Sequence, residues 1–187
     1  MADMISDWRA HAAKSELAKM VAELRPNQID SWLDSATPRL PETVRVNPCR
    51  PDLDWTQDQL QLMGAVAIKW FKPIGGAYTM PWEKSRCEND DFKQHIQALH
   101  LSGRITRQEA ASMMPVLALD VRPGHHVLDL CAAPGSKTTQ IAEALNGDGL
   151  VIANEPNPGR ANNLISNVQR SGHLNIVVVR EDGRNFP

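Results

Sequence analysis

The sequence predicts an α/β protein: the first half of a doubly wound parallel sheet, preceded by a small α+β segment. Two observations carry this expectation. Beyond about residue 125, short β-branched runs alternate with helical segments in the order β-α-β-α-β, the pattern of a mononucleotide-binding half-sheet. Before that point, apolar residues recur at helical spacing between proline-rich breaks. A length of 187 residues suits one ordinary domain, or a small domain and part of a larger one.

Residues 3–24 read as an amphipathic helix that stops before Arg25-Pro26. Residues 26–34 read as a short second helix, with Pro26 in its first turn and Trp32 and Leu33 on the buried side. LPETVRVNP, residues 40–48, reads as a strand in which Val44 and Val46 alternate with Thr43 and Arg45 between flanking prolines. Over residues 54–70 a helix is expected, because Leu60, Met63, Ala67 and Trp70 fall on one face. KPIGGAYTMPW is a loop with a strand at 77–80. Residues 90–101 and 107–119 are helices separated by Gly103, the second despite Pro115.

HHVLDLCA, residues 125–132, is the continuous apolar run expected of a parallel strand covered on both faces. APGSKT is a tight turn and 136–145 a helix. LVIANE, residues 150–155, is the second strand, 158–170 a helix closed by Ser171-Gly172, and NIVVVRED, residues 175–182, the third strand. Right-handed crossovers place these strands in the order three-two-one. The expected division is an N-terminal helix (1–25), a small α+β domain (26–101) and an incomplete parallel core (102–187).

Composition narrows the classes. With 42% hydrophobic and 22% charged residues and no apolar run near the ~20 residues of a membrane span, no membrane partner is expected. The N-terminus lacks the apolar core of a secretory signal. The 3 cysteines, Cys49, Cys87 and Cys131, form no CxxC pair, so neither a disulfide framework nor a zinc site is expected, and no metal. A reducing interior follows: cytoplasmic, or nuclear in a eukaryotic setting. The net charge of −2 argues against a wholly basic nucleic-acid-binding module, though not against a local basic patch.

In this topology ligands bind beyond the carboxyl ends of the strands. CAAPGSKT follows the first strand, Glu155 ends the second and Asp182 ends the third. Gly135 permits close backbone approach, while Ala132 and Ala133 keep the loop small. The N–H groups opening the next helix favour a carboxylate or other anion. Glu155 can accept both ribose hydroxyls of a nucleoside. Asp182, or the backbone of Gly183, can take the adenine amine. A phosphate-binding GxxxxGK[ST] loop is absent, since Ser136 precedes Lys137, and GxGxxG is absent too. A loop without diphosphate machinery, plus two acids on successive strand ends, fits S-adenosylmethionine better than ATP or NAD.

CAAPGSKTTQ is similar to the cofactor loop of the RNA 5-methylcytosine methyltransferases of the NSUN (Sun) family, including their bacterial ribosomal-RNA relatives. ITRQEAASMMPVLALDVRPGHHVLDL resembles that family's approach to the loop. IANEPNPGRANNLISNVQRSG and EDGRNFP resemble its next two cofactor motifs, and LPETVRVNP the start of its RNA-side small domain. The resemblance runs from about residue 30 to the last residue. It implies a Rossmann-like S-adenosylmethionine-dependent methyltransferase in which Cys131, Ala132, Ala133, Pro134, Gly135, Ser136 and Lys137 surround the methionine part of the cofactor. Glu155 would hold the ribose, with Arg160 beside it and Asp182 at the adenine. The implied partner is RNA, with tRNA first and rRNA second, the full-length parent being monomeric. Lys84, Arg86, Arg104 and Arg107 are candidate phosphate contacts.

Methylating carbon-5 of cytosine requires a nucleophile to add at carbon-6, and a thiolate suits that task. The resemblance places the nucleophilic and product-releasing cysteines in motifs after a fourth and fifth strand, beyond Pro187. The chain alone is therefore expected to be truncated and inactive, with no catalytic residue of its own. Cys131 is expected to be a small buried thiol. Trp32, Trp55 and Trp70 are expected to pack in the core rather than stack on RNA bases, and His125 and His126 to be structural. Two alternatives stay open: a non-catalytic RNA-binding remnant, and a small-molecule methyltransferase.

Overall fold

The computed structural model describes residues 8–36, 39–84 and 86–186. The chain falls into two compact units, the first ending at Leu40 and the second beginning at Pro41.

The first unit holds α1 (Trp8–Ala12), α2 (Glu16–Leu24), a 3-10 turn at Pro26–Gln28 and α3 (Ile29–Ala36). The single helix expected over 3–24 is two helices where it is described; residues 3–7 lie outside the described residues. Ser15 causes the break. Its Oγ accepts from the Ala18 N–H at 3.1 Å, and its extended backbone cannot sit inside a helix. Arg9 ties α1 to α3 through Asp30 at 2.7 Å and Asp34 at 2.8 Å.

The second unit contains two sheets. The first is built from β1 (Pro41–Val46), β2 (Val66–Ala67), β3 (Ala77–Glu83) and β4 (Ile105–Arg107), with α4 (Leu53–Leu62) and α5 (Asp90–Leu101) between its strands. The order is β2-β3-β1-β4, with β1 antiparallel to both neighbours: Val44 lies opposite Tyr78, and Val46 opposite Ile105. Val44, Val46, Leu60, Met80, Ile96 and Ile105 make its core. Asn89 opens α5 by accepting from the N–H groups of Asp91 and Phe92. The expected alternation along β1 does not occur. Glu42 through Val46 are all buried, because Arg45 on the second face meets a helix of the other sheet.

Two predicted helices are shorter than their apolar spacing suggested. The one over 54–70 ends at Leu62; Gly64 turns the chain at φ +82°, and Val66–Ala67 pair with β3. The one over 107–119 begins only at Ala110, because Ile105–Arg107 pair with β1, leaving α6 as Ala110–Ala118. Trp55 and Trp70 are not core residues: each is 46% exposed. The end of α4 removes the helical face that would have buried Trp70.

The second sheet is β5 (His126–Asp129), β6 (Leu150–Asn154) and β7 (Ile176–Val179), joined by α7 (Ser136–Ala144) and α8 (Pro158–Ser171). All pairs are parallel in the order β5-β6-β7, the expected three-two-one arrangement. Ile141 and Leu145, at the end of α7, pack with Val151, and Leu164 of α8 packs with Ala153. Val151 and Ala153 are two apart on one strand, so both helices cover the same face. Crossovers running in a single direction require this. The first strand is therefore not covered on both faces among the described residues: Leu128 is 43% exposed, and Val177 of β7 is 49% exposed.

Candidate functional site

Register brings the three carboxyl strand ends level. Asp129 lies opposite Ala153, and Asn154 opposite Val179. Asn154, fully buried, then laces the segments beyond them together. Its Nδ2 donates to the carbonyls of Leu130 at 3.2 Å and Glu181 at 3.0 Å, and its Oδ1 accepts from the Glu181 N–H at 2.8 Å. A buried amide needs such partners. This brace was missed in the sequence, where its signal is a polar residue ending the apolar run LVIAN.

The turn after β5 is fixed from several sides. The Ala132 N–H donates to the Asn154 carbonyl at 3.0 Å, and Asn167 Nδ2 donates to the Pro134 carbonyl at 2.6 Å. Thr138 Oγ1 donates to Asp129 at 2.8 Å. Gly135 sits at φ +108°, and a Cβ there would stand 2.9 Å from Leu164 Cδ1. The chain thus passes close against α8 where only glycine fits. Gly135 also opens α7 without a capping side chain, so the first N–H groups of that helix have no side-chain acceptor at the cap. Ala132 and Gly135 are buried, whereas Pro134 and Lys137 are exposed. Cys131 is exposed as well, correcting the expectation of a buried thiol: its neighbour Ala132, not Cys131, enters the packed cluster with Ala153 and Leu164.

Glu155 is the best-held acid of the three strand ends. It is only 2% exposed. One carboxylate oxygen accepts from the Asn157 N–H at 3.0 Å, and the other lies 3.3 Å from Arg160 Nη2. The same Nη2 donates to the Ala133 carbonyl at 3.2 Å. Arg160 therefore links Glu155 to the turn, and Asn157 sets the start of α8 by capping the Arg160 N–H at 3.1 Å. Asp182 is half-exposed and pairs with Arg184 at 2.6 Å. Hydrogen bonds from the Arg184 side chain and backbone hold its carboxyl below the ordinary value. Gly183 stands against Leu130, a Cβ there lying 3.5 Å from Leu130 Cδ2, so the Asp182 segment borders the turn. The predicted residues from 131 to 137, Glu155, Arg160 and Asp182 share one rim.

Arg45 supports the rim from behind. Its Nη2 donates to the Ser136 carbonyl at 3.2 Å and Thr139 Oγ1 at 3.1 Å, its Nε donates to Gln108 at 3.0 Å, and its Nη1 pairs with Glu143. Arg104 of the predicted basic set lies over the Trp55 ring at 5.6 Å, Arg86 pairs with Glu83 at 3.3 Å and Arg107 with Glu42 at 2.9 Å. Among the described residues no three His, Cys, Asp or Glu side chains cluster as a metal site, and no helix is long and apolar enough to cross a membrane.

The chain is similar to known proteins in sequence and in fold. Residues 116–187 match the family model "16S rRNA methyltransferase RsmB/F". A multisite-specific tRNA:(cytosine-C(5))-methyltransferase, trm4b, of Schizosaccharomyces pombe is 32% identical, over 87% of this chain and 29% of its own length. Ribosomal RNA small subunit methyltransferase F of Aliivibrio fischeri is 34% identical, over 89% of this chain and 35% of its own. The chain thus spans about a third of the length of these curated relatives. A methyltransferase homologue from Pyrococcus horikoshii shares the fold with a TM-score of 0.73, at 24% identity over 93% of this chain and 55% of that one. NSun6 from the same organism, solved with SFG, gives a TM-score of 0.68 at 16% identity, over 90% of this chain and 65% of that one. The chain is Rossmann-like in fold, and over residues 116–187 it is similar to the RsmB/F methyltransferases.

Proposed function

We propose that this chain supplies the S-adenosylmethionine-binding part of an RNA (cytosine-5-)-methyltransferase. The observation that carries the reading is the Glu155–Arg160–Ala133 linkage, which sets a buried carboxylate beside a small-residue turn. The donor set suits the ligand. Glu155 offers acceptors for two ribose hydroxyls, Asp182 stays ionised and can accept from the adenine amine, and the uncapped start of α7 suits the methionine carboxylate. Residues 131–137 shape the wall around the methionine part, with Arg160 at the ribose side. When bound, the cofactor supplies an electrophilic methyl group. These residues bind it, orient it and keep water from the turn.

The substrate in this reading is a cytosine in RNA, with tRNA placed first and rRNA second; the curated relatives carry both names. The base would leave its stack to reach the rim. The cytoplasm and a monomeric parent complete the proposal. Equilibrium dialysis with labelled S-adenosylmethionine, competed by S-adenosylhomocysteine, NAD and ATP, tests it. Displacement by S-adenosylhomocysteine alone is expected. Equal displacement by NAD or ATP would sink the cofactor assignment.

A further inference from the structure

A second cleft, of about 320 Å³, uses the same turn, residues 134–136, as one wall. Lys84 after β3, Arg107 on β4 and Arg170 near the end of α8 line its other sides, with His100 of α5 between them. Glu109 is the one carboxylate among the described lining residues. Glu42 engages Arg107 through Nε, at 2.9 Å, and the Arg107 side chain stays half-exposed in the cleft wall. Arg170 has no carboxylate within ion-pairing distance among the described residues. Its Nη1 lies 2.5 Å from His100 Nε2, and its buried Nε has no hydrogen-bond partner.

That geometry fixes the imidazole. Arg170 can only donate, so His100 Nε2 accepts and the proton sits on Nδ1, 3.3 Å from the Ile105 carbonyl. His100 is therefore neutral, its pKa pushed down to about 4 by burial and by the charges of Arg170 and Arg107. The cleft holds more positive charge than its own residues balance.

We propose that this cleft binds a backbone phosphate of single-stranded RNA next to the nucleotide presented at the rim. The proposal rests on the RNA reading above. A phosphodiester brings one negative charge and two free oxygens, which Arg107 and Lys84 can share with the Ser112 hydroxyl in the same wall. The shared turn would then set the distance between a gripped phosphate and the methyl donor. Contacts of this kind position a strand without reading its sequence.

The test uses the whole chain, a short unstructured cytidine-containing RNA and, separately, inorganic phosphate. RNA affinity is measured over a salt series, and the His100 imidazole is followed by NMR. Bound RNA is expected to shift the His100 resonance and raise its pKa, since an anion would offset Arg170, Arg107 and Lys84 against Glu109. Lys84→Gln and Arg107→Gln should each weaken RNA binding several-fold and flatten the plot of log K against log salt by about 0.7. Unchanged salt slopes with a silent His100 would overturn the proposal. A His100 response to inorganic phosphate but not to RNA would also overturn it, in favour of a free-anion site. S-adenosylhomocysteine binding by the same variants is the control. Its preservation beside a failed RNA result sinks only this inference, and its absence in the wild-type chain sinks the methyltransferase reading.

Discussion

Arg45 and Glu143 form an ion pair that joins the antiparallel sheet to α7, the helix after the turn at residues 131–135, with both side chains almost wholly buried, at 1% and 8% exposure. Gln108 accepts from Arg45 and donates to Gln140 at 2.9 Å, extending the pair into a buried polar network. The segment LPETVRVNP thus acts as a brace for the first turn of α7. Arg45 is held there because its guanidinium nitrogens all find acceptors.

Arg45→Met should destabilise the fold by about 3–5 kcal/mol, because it leaves Glu143 charged and unpaired in the interior. Urea denaturation measures this. The double variant with Glu143→Met is expected to recover part of the loss, whereas simple additivity would show that the two residues do not act as a pair.

Gly135→Ala should cost about 1–3 kcal/mol, since the residue sits in the left-handed region and its new methyl meets Leu164. Cofactor affinity should fall with stability, because relief of the clash moves the turn. A variant as stable and as tightly binding as wild type would show that the turn tolerates a side chain.

Stability should decline as the pH is lowered from about 6.5 towards 4. The His100 pKa is depressed in the folded chain, so the unfolded chain binds the proton first, and each step down in pH within that window favours unfolding. His100→Gln is expected to flatten this part of a denaturation profile; an unchanged profile would remove His100 as its source.

Much of the parallel half was legible in the sequence because its determinants are local. The β-branched runs gave three strands, Asn157-Pro158 and Gly172 bounded α8, and the strand order followed from handedness. The misread elements are those decided by tertiary pairing. Arg107, expected to open a helix, pairs with β1 together with Ile105 and Thr106, and the helix over 54–70 yields to Gly64 and β3. At the rim, Gly135, Glu155 and Asp182 were readable because strand ends announce themselves. Asn154, Arg45 and Arg170 were not, since their roles depend on partners up to 98 residues away.

Cys131 is exposed on the turn, so thiol reagents should modify it readily, and S-adenosylhomocysteine should slow that reaction while leaving Cys49 unaffected. Mass spectrometry of partially alkylated protein separates the sites. Equal protection of both cysteines would point to a global change rather than a ligand beside the turn.

The most direct measurement is calorimetric titration of S-adenosylhomocysteine into the wild-type chain, Glu155→Gln and Asp182→Ala. Saturable one-to-one binding to the wild type is expected, weakened between about 10- and 100-fold by Glu155→Gln, which removes charge-assisted hydrogen bonds, and less by the half-exposed Asp182→Ala. Binding by Glu155→Gln as tight as by wild type would contradict the account, because the ribose would then be held somewhere other than this rim.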